Sequence, residues 1–582
     1  MSPRRSWSTA TSPSPMSTCA STCMKSRSAS CAGSSNGSVP CCPITASDPT
    51  TRACRGTIAG ATSRKNSRGK SERECHRRGG SMREFLRTAL AAALAVVVGA
   101  SSAQAQKDKD MLVVGASLFT DSIAPTGGAY ITLSLCYQTW EPLVARDSDD
   151  KLVPALAEKW EAISPTHWRF FLRKGVKWHD GTPFTAADVK FTIDYVIDPK
   201  QVYARKTRIA GVTGAEVVDD YTVDIKTASP APLLLRGLAD IPIESKAHTE
   251  KVGQAEAHKK PMGTGPWKYV SWVAGDRYDL AANEDYWGGA PAMKKLRIRA
   301  IPEGATRVAS LVAGETDIIE EIPVDLLPSV EKRRNLKIDA VESSVSLVHT
   351  FDTRKPPFND VRVRLALDYA IDKQALLKQM LGGYGSVLDG QLVTKATFGY
   401  NPNLKSRPYD PAKAKALLAE AGFPKGFENK INTLSGRYLS DVDIANAVAG
   451  MMTAVGVKTS VNVVEGGVWS QLDRSREQGP MYQVGWFSVG DADFNTVWYT
   501  EASKRNYWTN AEFDRLWLEA RSTMDEAARL KAYNRMMEIM HEELPSIFLL
   551  GLPRISGRNE KVSGWQPSRD SLLRLHKVSV KP

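Results

Sequence analysis

The main body of this 582-residue chain almost lacks cysteine. Only Cys136 occurs after residue 81, while residues 1–81 hold the other seven cysteines. A single thiol cannot form an internal disulfide, so disulfides do not hold the main body together. The seven early cysteines include no CxxC pair and lie among Ser, Arg, Thr and Pro residues, which argues against a metal-binding cluster.

The chain also lacks a surplus of charge outside its N-terminal part. Its net charge is +13, but residues 1–105 contain 15 basic and 4 acidic residues, which leaves 62 basic and 60 acidic residues for 106–582. The charge of the main body therefore indicates neither a nucleic-acid partner nor a membrane surface. Residues 1–81 have almost no aliphatic run, so we expect them to be disordered and to lie upstream of the true start.

Long hydrophobic runs are absent, and the one short run follows Met82. The sequence MREFLRTALAAALAVVVGASSAQAQ has a charged start, an apolar stretch Ala89–Val98 and a closing AQA. This pattern is typical of a secretory signal peptide, 82–105, that is cleaved after Ala105. About ten apolar residues span only about half of the ~30 Å hydrocarbon layer, which disfavours a membrane anchor. We therefore predict an exported, periplasmic protein.

The common motifs of hydrolytic enzymes are missing from residue 106 onward. This part of the chain has no GxSxG turn and no HExxH zinc motif. Ser329-Val330-Glu331-Lys332 fits the S-x-x-K pattern of penicillin-recognising enzymes, but no K-T-G follows. The histidines are scattered, which argues against a metal site: His167, His179, His248, His258, His349, His541 and His576. The sequence indicates no catalysis, and we predict neither a cofactor nor a metal.

What the main body does contain is a mixture of strand and helix signals. Residues 168–173 and 221–226 show the two-residue periodicity of half-buried strands. Asp410-Pro411 supplies an N-cap and a first-turn proline for a predicted helix, and Asp525 can cap another with apolar residues at steps of 3 and 4. Strands and helices without strict alternation predict an α/β fold.

Several segments of the main body carry a recognisable pattern. LVPALAEKWEAISPTHWRFFLRKGVKWHDGTPFTAADVKFTIDYV, from Leu152 to Val196, closely resembles the signature region of the extracellular solute-binding proteins of family 5. Similar blocks follow in the expected order: MGTGPWKYVSWVAGDR, NEDYWGGAP, IPEGATRVASLVAGETDII, PPFNDVRVRLALDYAIDKQAL and YDPAKAKALLAEAGFPKGF. That family comprises the dipeptide, oligopeptide, glutathione and nickel receptors of ABC importers.

The resemblance implies an α/β architecture, the two-lobe periplasmic binding protein fold of type II, cluster C. Two lobes are joined by a two-stranded hinge and enclose the ligand in the cleft between them. The implied lobe I comprises 106–353 and returns at 553–582, and lobe II comprises 354–552. The chain is expected to cross between the lobes near 351–355 and 550–553.

The resemblance also implies the ligand contacts. The segment GWFSVGDADFNTVWYT, 485–500, corresponds to the stretch that lines the cleft of similar peptide receptors. An arginine in LSGRYLSD can bind a ligand carboxylate bidentately, and the tryptophan of GGVWSQL can close over the ligand. Two aromatic residues follow a predicted cleft loop at 124–128. The implied ligand-binding residues are Arg437, Trp469, Trp486, Asp491, Asp493, Tyr137 and Trp140.

One departure within 485–500 concerns the ligand's charge. Similar dipeptide receptors carry an Asp soon after the tryptophan, whereas this chain has Phe487-Ser488-Val489 there and its acids come later, as in glutathione-type relatives. Arg437 with Asp491 or Asp493 would still match both charges of a short peptide. The same aromatic faces suit a sugar or an opine, so these ligand classes stay open.

Together these observations predict a periplasmic substrate-binding receptor of an ABC importer. It captures a small peptide-like solute by lobe closure and delivers it to an inner-membrane permease and its ATPases. The alternatives are the same role for an oligosaccharide or opine and, from a different class, a secreted hydrolase. A nickel or haem receptor is disfavoured because no His or Cys cluster occurs in the main body. We expect a monomer without a nucleic-acid partner.

Overall fold

The computed structural model describes residues 108–581. The cysteine-rich segment and the predicted signal peptide, 82–105, lie outside the described residues. Within 108–581, no helix has the length and apolarity that a membrane crossing requires. Cys136 is buried, and burial raises the pKa of its thiol to about 12.

The described residues form nineteen β-strands and fifteen α-helices. The strands are β1 Met111–Ala116, β2 Val144–Arg146, β3 Leu152–Pro154, β4 Ala157–Ser164, β5 His167–Leu172, β6 Val212–Asp219, β7 Thr222–Thr227, β8 Trp267–Val273, β9 Arg277–Ala282, β10 Lys295–Ala300, β11 Ile318–Ile319, β12 Leu336–Phe351, β13 Ser386–Val387, β14 Glu428–Thr433, β15 Lys458–Val463, β16 Met481–Phe487, β17 Ser546–Asn559, β18 Val562–Ser563 and β19 Ser579–Val580. The helices are α1 Tyr130–Cys136, α2 Ala186–Ile197, α3 Leu234–Leu238, α4 Lys246–Val252, α5 Gln254–Lys259, α6 Gly304–Val312, α7 Leu327–Glu331, α8 Val361–Tyr369, α9 Lys373–Met380, α10 Pro411–Glu420, α11 Asp441–Ala454, α12 Gly466–Ser475, α13 Asp493–Thr496, α14 Ala511–Ser522 and α15 Glu526–Glu543.

The predicted strands and helices are present. Strands β5 and β7 pair antiparallel, with Trp168 opposite Ile225. The carboxylate of Asp410 accepts the backbone N–H of Lys413 at 2.9 Å, which satisfies a first-turn donor of α10. Asp525 caps α15 in the same way. Local sequence signals therefore set the starts of these helices.

One mixed sheet of eleven strands runs through the described residues. Its strand order is β15-β14-β16-β12-β17-β11-β1-β10-β9-β8, and β13 pairs with β17 beside this path. A separate four-stranded sheet has the order β4-β5-β7-β6. The long antiparallel strands β12 and β17 lie in the middle of the large sheet and connect its two halves.

Separate apolar cores lie on either side of this central pair. On β12, Leu336 packs into one core with Ile555 of β17, whereas Val345 packs into another core with Leu552. We call the part built around the first group of cores lobe I; it consists of the residues before 337 and after 554. Lobe II is the part built around the second group, from 345 to 552.

The pairing of β12 with β17 is irregular where both strands pass between the lobes. Glu342 lies opposite Pro553, and the next aligned pair is Ser346 opposite Gly551. Proline has no backbone N–H to donate, so the ladder is weakened at this point. The two connections between the lobes therefore meet at the least regular part of the sheet.

Candidate functional site

Lobe II contains a cavity of about 800 Å³ at the C-terminal edge of its strands. Strand β16 contributes its floor, the turn after β14 one side, and helix α12 the other. The lining residues are Leu434, Ser435, Gly436, Arg437, Tyr438, Val463, Val464, Glu465, Gly466, Trp469, Ser470, Asp473, Arg474, Tyr482, Val484, Gly485, Trp486 and Arg505. Arg437, Trp469 and Trp486, three of the seven residues predicted from sequence, thus line one space.

The floor of the cavity is aromatic and rigidly supported. The half-buried Trp486 stacks on Trp498 with ring centroids 5.3 Å apart and planes within 13°. Its indole N–H donates to the hydroxyl of Tyr499 at 3.3 Å. Trp469 packs edge-on against Tyr482 at 6.0 Å. Stacking and the hydrogen bond fix the Trp486 ring, which leaves its free face for an apolar or planar group.

Gly485 allows two walls of the cavity to approach closely. A Cβ atom at this position would lie 2.6 Å from the ring of Tyr438, which is shorter than any real carbon contact. The hydroxyl of Tyr438 donates to the carbonyl of Gly485 at 3.1 Å. Glycine is therefore required here because the ring lies directly on the backbone of β16.

Arg437 lies in a turn that one buried carboxylate organises. Asp441 accepts the backbone N–H groups of Arg437 and Tyr438 at 2.8 and 3.1 Å. The Arg437 side chain is exposed, and its guanidinium lies 5.8 Å from the Tyr438 ring centroid. No carboxylate of residues 108–581 lies within 4.0 Å of it. Its backbone is fixed while its charge is free to bind a ligand.

Helix α12 presents one face to the cavity. Its lining residues follow the helical steps i, i+3, i+4, i+7 and i+8: Gly466, Trp469, Ser470, Asp473 and Arg474. Asp473 forms an ion pair with Arg505 at 3.0 Å, and burial raises the pKa of Asp473. At the helix start, Glu465 accepts the backbone N–H groups of Gly467 and Val468, and these bonds lower its pKa.

Asp491 and Asp493 do not line this cavity. Both are buried, and each carboxylate contacts an arginine of lobe II. Asp491 accepts from Arg529 at 2.8 Å, and Asp493 lies 3.3 Å from Arg521. Burial raises the pKa of Asp493 to about 6, although Arg521 opposes the shift. Their negative charges are therefore balanced within the protein.

Tyr137 and Trp140 lie in lobe I, at a second cavity of about 600 Å³. Trp140 is buried and Tyr137 is half-buried, and the Tyr137 hydroxyl donates to the carbonyl of Ala239. The neighbouring Glu141 accepts from Trp287 and from two hydroxyls, and burial raises its pKa to about 7. The structure thus separates Tyr137 and Trp140 from the three predicted residues that share the lobe II cavity.

Lobe I contacts lobe II directly beside the lobe II cavity. Tyr130 of lobe I stacks on Phe487, which follows Trp486, with centroids 5.2 Å apart and planes within 12°. Arg236 of lobe I donates to the carbonyl of Val489 at 3.0 Å. The guanidinium of Arg208 lies 4.6 Å from the ring of Phe494. The segment 485–500 therefore belongs both to the cavity floor and to the junction between the lobes.

The backbone at this junction is unusual. Val489 and Gly490 both adopt left-handed conformations, with φ of 47° and 71°. A β-branched residue in this region is strained, so surrounding contacts have to hold it. A Cβ atom at position 490 would collide with the guanidinium of Arg236. Glycine at this position lets the arginine of lobe I approach the turn of lobe II.

Sequence reasoning missed Arg474, Arg505 and Asp473 as cavity residues. Helical i+4 steps would have found two of them, because they lead from Trp469 to Asp473 and from the neighbouring Ser470 to Arg474. No local signal identifies Arg505, which reaches the cavity from the loop after α13. Within 108–581, no group of three or more His, Cys, Asp or Glu side chains is arranged to hold a metal.

The fold and the cavity define a class of protein. Two α/β lobes that are joined by two long strands, with a cavity beside their junction, form the architecture of two-lobe solute-binding proteins. The family model for bacterial extracellular solute-binding proteins, family 5 Middle, matches residues 151–508. The chain belongs to this family, whose members are binding proteins.

Individual relatives agree with this family. Over 482 residues the chain is 28% identical to the glutathione-binding protein GsiB of Pectobacterium atrosepticum, across 80% of this chain and 93% of that protein. It resembles the periplasmic binding protein DppA of Helicobacter pylori in complex with the peptide STSA, with a TM-score of 0.71, 25% identity, and coverage of 81% and 98%. It also resembles NikZ of Campylobacter jejuni in complex with Ni(L-His), with a TM-score of 0.71, 25% identity, and coverage of 81% of this chain and 100% of that chain. The predicted family and two-lobe fold are confirmed.

Proposed function

We propose that this chain is the periplasmic receptor of an ABC importer and that it captures a small peptide-like solute for an inner-membrane permease and its ATPases. The observation that carries the proposal is the lobe II cavity, where Arg437 and two half-buried indoles line the same space. A free guanidinium binds a carboxylate bidentately, and indole faces pack against apolar side chains. A peptide offers both kinds of group.

The comparison proteins support a peptide-like ligand. One relative is named as glutathione-binding, and one solved structure holds the peptide STSA. Glutathione is itself a small peptide derivative, so both compounds belong to one chemical class. One similar structure holds Ni(L-His). A metal ligand has less support than a peptide for this chain, because residues 108–581 hold no cluster of metal-binding side chains.

Arg437, Trp469 and Trp486 are the ligand contacts that we propose with the strongest structural support, since they line one cavity. Asp491 and Asp493 stay predictions, and their arginine partners argue against direct pairing with a ligand ammonium. Tyr137 and Trp140 also stay predictions.

We also propose that the lobes close by bending at the irregular part of β12 and β17. The bending residues would be 343–345 and 551–553, where the register between the strands breaks. The boundary after residue 353 stays a prediction. The cores favour an earlier one, because Val345 and Phe351 pack among lobe II residues.

Export by a cleaved signal peptide at 82–105 completes the proposal. N-terminal sequencing of the protein recovered from the periplasm should begin near Gln106. A start upstream of Met82 in the exported protein would contradict it.

A ligand screen by thermal unfolding tests the receptor function. A ligand that binds only the folded state stabilises it by about 2.7 kcal/mol at a hundredfold excess over Kd. We expect short peptides with a free C-terminal carboxylate to raise the Tm of the exported chain, and the matched peptide amides to raise it less. A shift produced by an oligosaccharide or an opine alone would identify the alternative ligand class.

A secreted hydrolase is the competing function from a different class. A receptor returns its ligand unchanged, so chromatography after prolonged incubation with the stabilising compound should recover all of it. Steady consumption of that compound would reject the receptor proposal.

A further inference from the structure

The lobe II cavity carries more positive charge than its own acids neutralise. Its ionisable lining residues, tyrosines apart, are Arg437, Arg474, Arg505, Glu465 and Asp473. Arg505 is already paired with Asp473 at 3.0 Å. Within residues 108–581, neither Arg437 nor Arg474 has a carboxylate within 4.0 Å. Two guanidinium groups at one cavity are therefore available to a ligand.

Arg474 belongs to the cavity because of its place on α12. It follows Ser470 by four residues and Gly466 by eight, so it lies on the helix face that lines the space. Its neighbour Asp473 forms its ion pair with Arg505 at 3.0 Å, and Arg474 acts on that carboxylate only through its charge, from beyond 4.0 Å. Arg437 reaches the same cavity from the turn after β14, so the two free arginines come from different walls.

The acids of the region give a ligand ammonium little opportunity. Asp491 and Asp493 are paired with Arg529 and Arg521 inside lobe II. On the cavity wall, only Glu465 has no basic side chain beside it, and two backbone N–H groups at the start of α12 already bind its carboxylate. Two cationic positions thus face at most one anionic position.

We propose that Arg474 forms a second carboxylate subsite opposite Arg437, and that the receptor selects small net-anionic compounds that carry two carboxylates. This inference rests on the proposed receptor function. The physical reason is desolvation, because lobe closure removes water from both guanidinium groups and an unpaired charge in an enclosed site is costly. A ligand with a single carboxylate leaves one arginine without a partner.

Titration calorimetry with matched compounds tests the ligand class. The probes are glutathione, its two monoethyl esters, Ala-Ala-Ala, N-succinyl-Ala-Ala and N-acetyl-Ala-Ala. We expect the dicarboxylates glutathione and N-succinyl-Ala-Ala to bind at least tenfold more tightly than the monoesters and N-acetyl-Ala-Ala, respectively. The margin should shrink as salt is added, because the effect is electrostatic.

The variant Arg474→Ala tests the residue. It should lower the affinity for glutathione at least tenfold. For one of the two monoesters it should change the affinity less than threefold, because that ester has already lost the carboxylate that Arg474 binds. The matched control is Arg334→Ala, an exposed arginine in the loop before β12 that lies outside the cavity. It should leave all affinities unchanged. Both variants should keep the wild-type Tm.

The outcomes separate this inference from the receptor function. If Ala-Ala-Ala or N-acetyl-Ala-Ala binds as tightly as any dicarboxylate, or if Arg474→Ala changes no affinity by more than twofold, the second subsite is wrong while the receptor function stands. If none of the six probes binds and only sugars stabilise the protein, the peptide-like ligand of the proposed function is wrong as well.

Discussion

Two charged regions of lobe II differ in what their charges do. In the acidic turn 488–495, the carboxylates of Asp491 and Asp493 are buried against Arg529 and Arg521. On the cavity wall, Arg437 and Arg474 are exposed, and among the described residues neither has a carboxylate within 4.0 Å. In the first arrangement the charges are balanced by arginines of the protein, and in the second they are available to a ligand. The presence of a charge in a segment that resembles a ligand-binding stretch therefore does not by itself identify a ligand contact.

The largest expected effect comes from breaking the buried pair of Asp491. Asp491→Ala leaves the Arg529 guanidinium buried without its carboxylate, so we expect the free energy of unfolding to fall by about 3–5 kcal/mol. Urea denaturation of the variant and the wild type measures this difference in the free energy of unfolding. The control is Asp194→Ala, which breaks the exposed ion pair with Lys190 at 2.6 Å and should cost less than about 1 kcal/mol. Equal losses in both variants would contradict the structural role of Asp491.

The next effect concerns pH. Burial raises the pKa of Asp493 to about 6, whereas an unfolded Asp titrates near 3.9. The folded state therefore holds this proton more tightly, and the resulting stability is full below about pH 4 and is lost as the pH rises through about 6. Asp493→Asn should reduce the fall in stability between these pH values, by at most about 3 kcal/mol. Urea titrations at several pH values give the free energy of unfolding of the wild type and of Asp493→Asn. If the two curves against pH run parallel, the prediction is wrong.

Arg437 should show the opposite behaviour to Asp491. Arg437→Ala removes an exposed charge, so we expect an unchanged Tm. The affinity for the carboxylate-bearing peptide that stabilises the protein most should fall at least tenfold, or about 1.4 kcal/mol. Calorimetry with Arg334→Ala as the control measures this difference. An unaltered dissociation constant would remove Arg437 from the binding site.

The smallest expected effect is at the junction between the lobes. Arg236→Ala removes the hydrogen bond to Val489 but leaves the stacking of Tyr130 on Phe487 in place. We expect the ligand-free protein to shift toward an open form by about 1 kcal/mol, which is the net value of one hydrogen bond. Small-angle X-ray scattering should then give a larger radius of gyration without ligand and an unchanged one at saturation. Identical values without ligand would show that this contact does not hold the lobes together.

Much of the fold follows from local patterns. The N-caps Asp410 and Asp525 and the two-residue periodicity of β5 predicted elements that the structure contains. The blocks that resemble family 5 predicted the family and the two-lobe architecture, which the family match over 151–508 confirms. These signals are readable because caps, periodicity and turn residues act over a few neighbouring positions.

The site was only partly predictable. Arg437, Trp469 and Trp486 share one cavity, as the resemblance implied for ligand contacts, but Asp491 and Asp493 turn inward. Their partners Arg529 and Arg521 belong to α15 and α14 and follow 38 and 28 residues later. No pattern in 485–500 indicates that these helices pack against it.

The sequence by itself determined the starts of the helices, the alternation of the strands, the near-neutral main body and the family. The tertiary structure alone decided which charges are paired and which remain free. The physical reason is that the Coulomb energy of a charge depends on the distance to its partner and on the surrounding dielectric, and both are set by how distant segments pack. The sequence does not show that the carboxylate of Asp491 lies beside Arg529 or that the guanidinium of Arg474 lies on an open helix face. Only the neighbours in space distinguish a paired charge from an unpaired one.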